Sequence, residues 1–244
     1  MNQSRCRPDR PRPVPCAPVL TRALLATGGA TALAAHGEPA TPLLSEAERR
    51  ASLDQFMRVQ PPGDVWVFAY GSLIWNPALR VSERRQAHVR GYHRSFCLST
   101  AVGRGTPQEP GLVLGLEPGG VCHGVAYRIA GRDVASELPI LWNREMLIGG
   151  YDPAWLDLFD VDGEKFARAI AFTIDRGHRN YAGDLPEEER VRRIAAAAGS
   201  WGSSADYLFR TIGSLREHRI HDAEIERLGD RVGTASFEPR SAAA

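Results

Sequence analysis

From Val65 to Tyr70 the chain carries no charge, and at Gly71 the run stops. Val65-Trp66-Val67-Phe68-Ala69-Tyr70 is a set of β-branched, aromatic and small residues, which predicts a buried strand. A glycine at its end leaves room for a ligand and opens backbone angles closed to other residues. Ser72 follows with a hydroxyl and a backbone N–H. A strand-to-loop break of this kind can aim successive N–H groups at one point, where an anion or a developing oxyanion can sit. The same stretch also reads, more plainly, as a core strand ending in a turn. A catalytic reading needs a base elsewhere in the chain to face it.

The rest of the chain supplies short strands punctuated by glycine. Ile74-Trp75-Asn76-Pro77 reads as a turn-rich loop. Gln86–Val89 and His93–Ser99 read as strands broken at Gly91, and 103–111 as a loop. Leu112–Leu116 is a strand, Pro118-Gly119-Gly120 a tight turn, and Cys122–Ile129 the strand returning from it. Trp155–Val161 and Phe166–Ile174 are joined by the hairpin turn Asp162-Gly163-Glu164. This succession predicts a curled antiparallel sheet or small barrel. Helices surround it. Ser45 and Glu48 form a capping-box signature ahead of Leu53, Phe56 and Met57, and Pro61-Pro62-Gly63 ends that helix. Asp133–Leu147 reads as a helix interrupted by Pro139. Further helices start at Pro186 and cover Ser204–His218 and Asp222–Leu228. There is no internal repeat.

The first residues differ from the rest. Residues 1–22 hold five arginines and one aspartate, and prolines at 8, 11, 13, 15 and 18 forbid a regular helix there. The Ala-rich stretch Ala23 to Ala35 makes the whole resemble a secretory or transit signal. Threonines and Gly28-Gly29 dilute it, and it is too short and polar to span a bilayer. A disordered or dispensable extension explains it as well. The expected organisation is an extension over 1–43, one folded domain over 44–236 and a disordered tail over 237–244.

Net charge of +1 gives no electrostatic case for nucleic acid or a membrane surface. Four cysteines without a Cys-x-x-Cys pair are too few for a disulfide framework. Cys97 and Cys122 read as buried hydrophobes in a reducing compartment. A Cys97–His93 nucleophile pair is the reactive alternative. His88, His93 and His123 lack metal-ligand spacing, and Asp157, Asp160 and Asp162 straddle a turn. Glu145 is the unusual residue: one carboxylate among Trp142, Met146, Leu147 and Ile148. Apolar surroundings disfavour the ionised form and raise proton affinity, which suits a glutamate to act as a base near neutral pH. A salt bridge to Arg144 or another arginine is the structural alternative.

Taken together, these segments resemble the ChaC family of glutathione-specific γ-glutamylcyclotransferases. The resemblance runs through Phe68-Ala69-Tyr70-Gly71-Ser72-Leu73, then Gly91-Tyr92-His93-Arg94-Ser95-Phe96-Cys97. It continues through Arg104-Gly105-Thr106-Pro107, Gly111-Leu112-Val113-Leu114 and Cys122-His123-Gly124-Val125-Ala126-Tyr127. Arg144-Glu145-Met146, Gly149-Gly150-Tyr151 and Asn180-Tyr181 complete it, in the family's order. It covers roughly residues 64–232 and leaves out the extension. Ala69 is a small departure, since some members carry glycine there.

The resemblance implies an α+β fold, a small, partly open mixed β-barrel with flanking helices. It implies cleavage of glutathione to 5-oxoproline and cysteinylglycine. Glu145 falls on the family's catalytic glutamate. Phe68, Ala69, Tyr70, Gly71, Ser72 and Leu73 fall on the loop that holds the γ-glutamyl group, and Tyr181 is a candidate hydroxyl donor. No metal, nucleotide or organic cofactor is implied. The expected partner is the small-molecule substrate alone, with no nucleic acid and no membrane, on a cytoplasmic monomer; export or organelle targeting is the alternative if the extension is a signal. Two other readings stay open: a cyclotransferase for other γ-glutamyl amino acids or amines, and a non-catalytic γ-glutamyl-binding module.

Overall fold

The computed structural model describes residues 20–34, 42–60 and 62–237. The arginine- and proline-rich start, with Cys6 and Cys16, and residues 238–244 lie outside them. Two short helices, α1 (Arg22–Ala26) and α2 (Gly29–Ala34), precede α3 (Glu46–Met57). The capping box on α3 is formed: Ser45 Oγ accepts from the Glu48 N–H at 3.2 Å, and the Glu48 carboxylate accepts from the Ser45 N–H at 2.7 Å. Strand β1 (Val65–Ala69) follows, then the single-turn helix α4 (Ser72–Trp75) where a loop was expected.

Two long strands, β2 (Glu83–Thr100) and β3 (Gly111–Ile129), pair antiparallel from end to end. Neither is broken where its glycines predict. Arg90 pairs with Val121 and Tyr92 with Pro118, so Gly91 faces Gly119 and Gly120 across a shift in register. All three glycines have positive φ, +81°, +110° and +74°. Placed opposite one another, they bend the two-stranded ribbon as a bulge does, without ending either strand. Pro118-Gly119-Gly120 is therefore a bend within β3. The connection that turns the chain from β2 to β3 is the loop over 101–110.

Helix α5 (Gly131–Glu145) runs unbroken through Pro139. The proline removes one N–H from the ladder, and packing holds the helix around it. Leu138, Leu141 and Trp142 are buried, and the Trp142 ring meets Phe172 and Phe56 at centroid distances of 5.3 and 5.4 Å. Strands β4 (Tyr151–Phe159) and β5 (Lys165–Ile174) form the next hairpin. Then come α6 (Glu187–Ala196), the two-residue strands β6 (Ala198–Gly199) and β7 (Gly202–Ser203), α7 (Ser204–Glu217) and α8 (Ala223–Phe237), which runs well past Leu228.

The large sheet has the order β1-β3-β2-β4-β5 and closes into a barrel. Parallel pairing of Trp66 with Ala169 and Val67 with Ile170 joins β1 to β5. The mixed barrel with flanking helices is as expected, and its ring is closed rather than partly open. One apolar cluster extends from Leu53 in α3 through the barrel to Val232 in α8. Cys97 and Cys122 are buried and free. Burial pushes both thiols up, that of Cys97 to about 12.

Candidate active site

Strand β1 delivers Tyr70 to the end of the barrel, and three contacts fix the turn that follows. The buried Arg94 guanidinium donates to the Tyr70 carbonyl at 2.7 Å and pairs with Asp222 at 2.9 Å. The Tyr127 hydroxyl donates to the Ile74 carbonyl at 3.1 Å. Arg144 donates to Ser72 Oγ at 2.9 Å and to the Asn76 carbonyl. The last contact ties the C-terminal end of α5 directly to α4.

Space is tight at Gly71. A Cβ on it would lie 3.0 Å from the Tyr207 hydroxyl and 3.3 Å from Leu114 Cδ1. Its φ of −139° lies outside the left-handed region, so the expected conformational reason gives way to a steric one. Because α4 starts at Ser72, its first N–H groups have no carbonyl partner within the helix.

Beside this turn lies a cavity of about 130 Å³. Ser72 and Glu145 both line it, with Trp75, Asn76, Arg144, Tyr151 and Tyr207 among their neighbours. The Glu145 side chain is 14% exposed. Arg144 Nε stands 3.0 Å from Glu145 Oε1, but its N–H does not point at the oxygen, and Oε1 is left buried without a hydrogen bond. Burial raises the proton affinity of Glu145, and the Arg144 charge partly offsets this. An arginine contact and a cavity wall thus meet at this residue.

The surrounding hydroxyls are neutral donors or acceptors. Burial, reinforced by the Glu145 charge, raises the Tyr207 phenol to about 12 and the Tyr151 phenol well above 10. Tyr151 donates to the Leu114 carbonyl at 2.7 Å. Two further guanidiniums reach the lining. Arg104 and Arg210 share Asp206, each at 3.1 Å, which leaves one positive charge in excess on that wall.

The other sequence candidates lie elsewhere. Phe68, Ala69 and Leu73 are core residues. The Tyr70 hydroxyl is buried and donates to the Phe172 carbonyl at 2.7 Å. Tyr181 sits outside the lining, where its hydroxyl donates to Glu117 at 2.6 Å and accepts from Arg176 at 3.1 Å. The Cys97–His93 pair is not formed. A register shift between Phe96 and Leu98 breaks the shared face, His93 Nδ1 lies 3.1 Å from the Gly119 carbonyl, and the raised Cys97 thiol is the reverse of an activated one. Asp160 accepts from the Asp162 and Glu164 N–H groups as a turn residue. Among the described residues no group of three or more His, Cys, Asp or Glu could hold a metal ion. Sequence reasoning missed Tyr207, Tyr151, Arg104 and Arg210 as lining residues; for Tyr207, only its place on an amphipathic helix hinted at burial.

Residues 65–235 match the ChaC family, described as ChaC-like protein. The chain is 44% identical over 168 residues to the glutathione-specific γ-glutamylcyclotransferase of Escherichia coli K12, covering 68% of this chain and 72% of that protein. It is 32% identical over 202 residues to the human glutathione-specific γ-glutamylcyclotransferase 1, covering 80% and 90%. The crystal structure of a selenomethionine-labelled γ-glutamylcyclotransferase specific to glutathione from yeast superposes with a TM-score of 0.68. At 20% identity it covers 73% of this chain and 99% of that one, and it establishes the likeness of fold.

Proposed function

This chain belongs to the ChaC family, and from that premise we propose that it cleaves glutathione to 5-oxoproline and cysteinylglycine. The observation that carries the reading is Glu145: a buried carboxylate at a cavity wall, one oxygen without a hydrogen bond, its proton affinity raised by burial. Such a group is poised to take a proton near neutral pH.

The reaction is intramolecular. The γ-glutamyl α-amine attacks its own γ-carbonyl carbon, a C–N bond forms, and a five-membered ring closes. The protein's main task is to hold the substrate folded, with amine and carbonyl in contact. Glu145 takes the proton that the amine must lose and returns it to the cysteinylglycine nitrogen as the old amide bond breaks, so no proton is gained or lost overall. Charge collects on the carbonyl oxygen in between. The N–H groups of the Gly71-Ser72-Leu73 turn are the proposed donors for it, and the neutral Tyr207 hydroxyl, which lies beside Gly71 and accepts from the Ser72 N–H, completes that wall. The surplus positive charge of Arg104 and Arg210 over Asp206 suits a substrate with two carboxylates. The step calls on no cofactor.

We place the protein in the cytoplasm as a monomer. Among the described residues two buried free cysteines fit a reducing compartment, and the large exposed hydrophobics are single residues on separate segments. Among the described residues no helix is long and apolar enough to cross a membrane.

The test is release of 5-oxoproline from reduced glutathione and from γ-glutamylalanine, by the natural chain and by Glu145→Gln. Release from glutathione is expected, with kcat falling about 10²- to 10⁴-fold in the variant, the usual worth of a general base. Equal kcat/KM on both substrates would widen the substrate to γ-glutamyl compounds at large. Binding of both without release would make the protein a binding module.

A further inference from the structure

Residues ahead of the family match reach the cavity. Leu20 is half-buried and lines it together with Asn76 and Arg144. The Leu20 carbonyl accepts from Asn76 Nδ2 at 3.1 Å, and the Asn76 carbonyl accepts from Arg144. Arg144 in turn stands against Glu145. A short run of contacts therefore joins Leu20 to the proposed base.

The segment is anchored along the helix that ends in that base. Arg22 makes two hydrogen bonds to Glu137, at 2.5 and 3.2 Å, and the Glu137 side chain is fully buried. Leu25 is fully buried against Ile140, with Leu20, Ala78 and Leu79 packed beside them. Asn143 Nδ2 donates to the Leu25 carbonyl at 3.3 Å, and Arg49 donates to Thr31 Oγ1 at 3.3 Å. Glu137, Ile140 and Asn143 are successive positions on one face of α5, and all three are taken up by this segment. A buried carboxylate with a matched guanidinium is a costly arrangement to leave half made.

We propose that residues 20–31 are a built-in wall of the active site, with Leu20 contacting substrate and Arg22 positioning the segment that carries it. The inference rests on the cyclotransferase reading of the cavity. Leu20 closes the side of the cavity next to Asn76, and its carbonyl helps hold Asn76 where Arg144 needs it. Arg22 reaches neither substrate nor Glu145; it acts through the segment it pins to Glu137. These residues are thus part of the working protein rather than a dispensable lead-in.

The test compares Leu20→Ala, Arg22→Ala and Arg22→Lys with the natural full-length chain, on glutathione turnover and on thermal melting. Leu20→Ala is expected to raise KM about tenfold, the scale of a lost apolar contact in a substrate pocket, with a smaller change in kcat and little change in melting temperature. Arg22→Ala is expected to raise KM likewise, and Arg22→Lys, which keeps the charge on Glu137, to recover most of the loss. An anchor with only a structural role would lower the melting temperature in Arg22→Ala and leave KM alone; that outcome, or a natural KM in Leu20→Ala, overturns the wall. Failure of the natural chain to release 5-oxoproline from glutathione overturns the cyclotransferase reading itself.

Discussion

The proposed role of Glu145 as the base sets an expected pH behaviour. Glu145 holds its proton more tightly when folded than the ordinary value of 4.5, because burial outweighs the Arg144 charge. Turnover should therefore fall on the acid side with an apparent pKa above 4.5, a limb that Glu145→Gln lacks; pH profiles of kcat for the two chains check this. The stability consequence has the opposite sense to a salt-bridged acid. The folded chain binds the proton better, so stability is lost as pH rises from 4.5 through the folded value. Melting curves should show Glu145→Gln matching the natural chain near pH 4 and exceeding it near pH 8. Gly71 offers a second test. A methyl group there meets Tyr207 and Leu114, so Gly71→Ala should cost about 1–3 kcal/mol in urea denaturation, as overpacking does. Adding Tyr207→Phe removes the nearest atom and should restore part of the loss. At this scale the sequence was informative where one residue type contradicted its surroundings. Glu145 among apolar neighbours stood out. Tyr207 did not, because its meaning depends on a glycine far away along the chain, and the place of Tyr181 outside the lining was not legible, because a loop hydroxyl carries no sign of which cavity it faces.

Elements matter here through the joints between them. Helix α7 is held to β3 by Ser204, fully buried, whose Oγ donates to the Leu112 carbonyl at 2.5 Å and accepts from the Leu112 N–H at 3.1 Å. Ser204→Ala leaves both backbone groups buried and unpaired, at a cost of about 1–3 kcal/mol. Urea titration should show a lower midpoint with an unchanged slope. Turnover should fall as well, since α7 carries Tyr207. Strand existence was legible in the alternation of apolar runs with glycine, and the capping box announced α3. Strand boundaries were less so. Gly91 and Pro118-Gly119-Gly120 read as ends because a positive-φ glycine marks a turn and a bulge alike. Only the partner strand decides between them, and here each glycine site faces the other. Pro139 misled for a related reason: the lost N–H is visible in sequence, whereas the packing of Trp142 that outweighs it is not.

Among the described residues one large apolar cluster spans the molecule, with smaller ones beside it. Apolar contact runs unbroken from α3 through the barrel to α8, so barrel and helices should unfold together. Tryptophan fluorescence, which samples Trp66 on β1, Trp75 on α4, Trp142 on α5, Trp155 on β4 and Trp201 between β6 and β7, should give the same urea midpoint as far-UV circular dichroism; two separate midpoints would mean that the barrel stands without its helices. The burial of Cys122 in that cluster, and of Cys97 in a smaller one with Leu98 and Ile174, has a chemical consequence. Thiol–disulfide exchange needs an accessible thiolate, and these two sulfurs offer neither access nor ionisation. A catalyst whose proposed substrate is itself a thiol, and whose oxidised form is a disulfide, has thereby kept its core sulfurs from forming mixed disulfides with what it consumes.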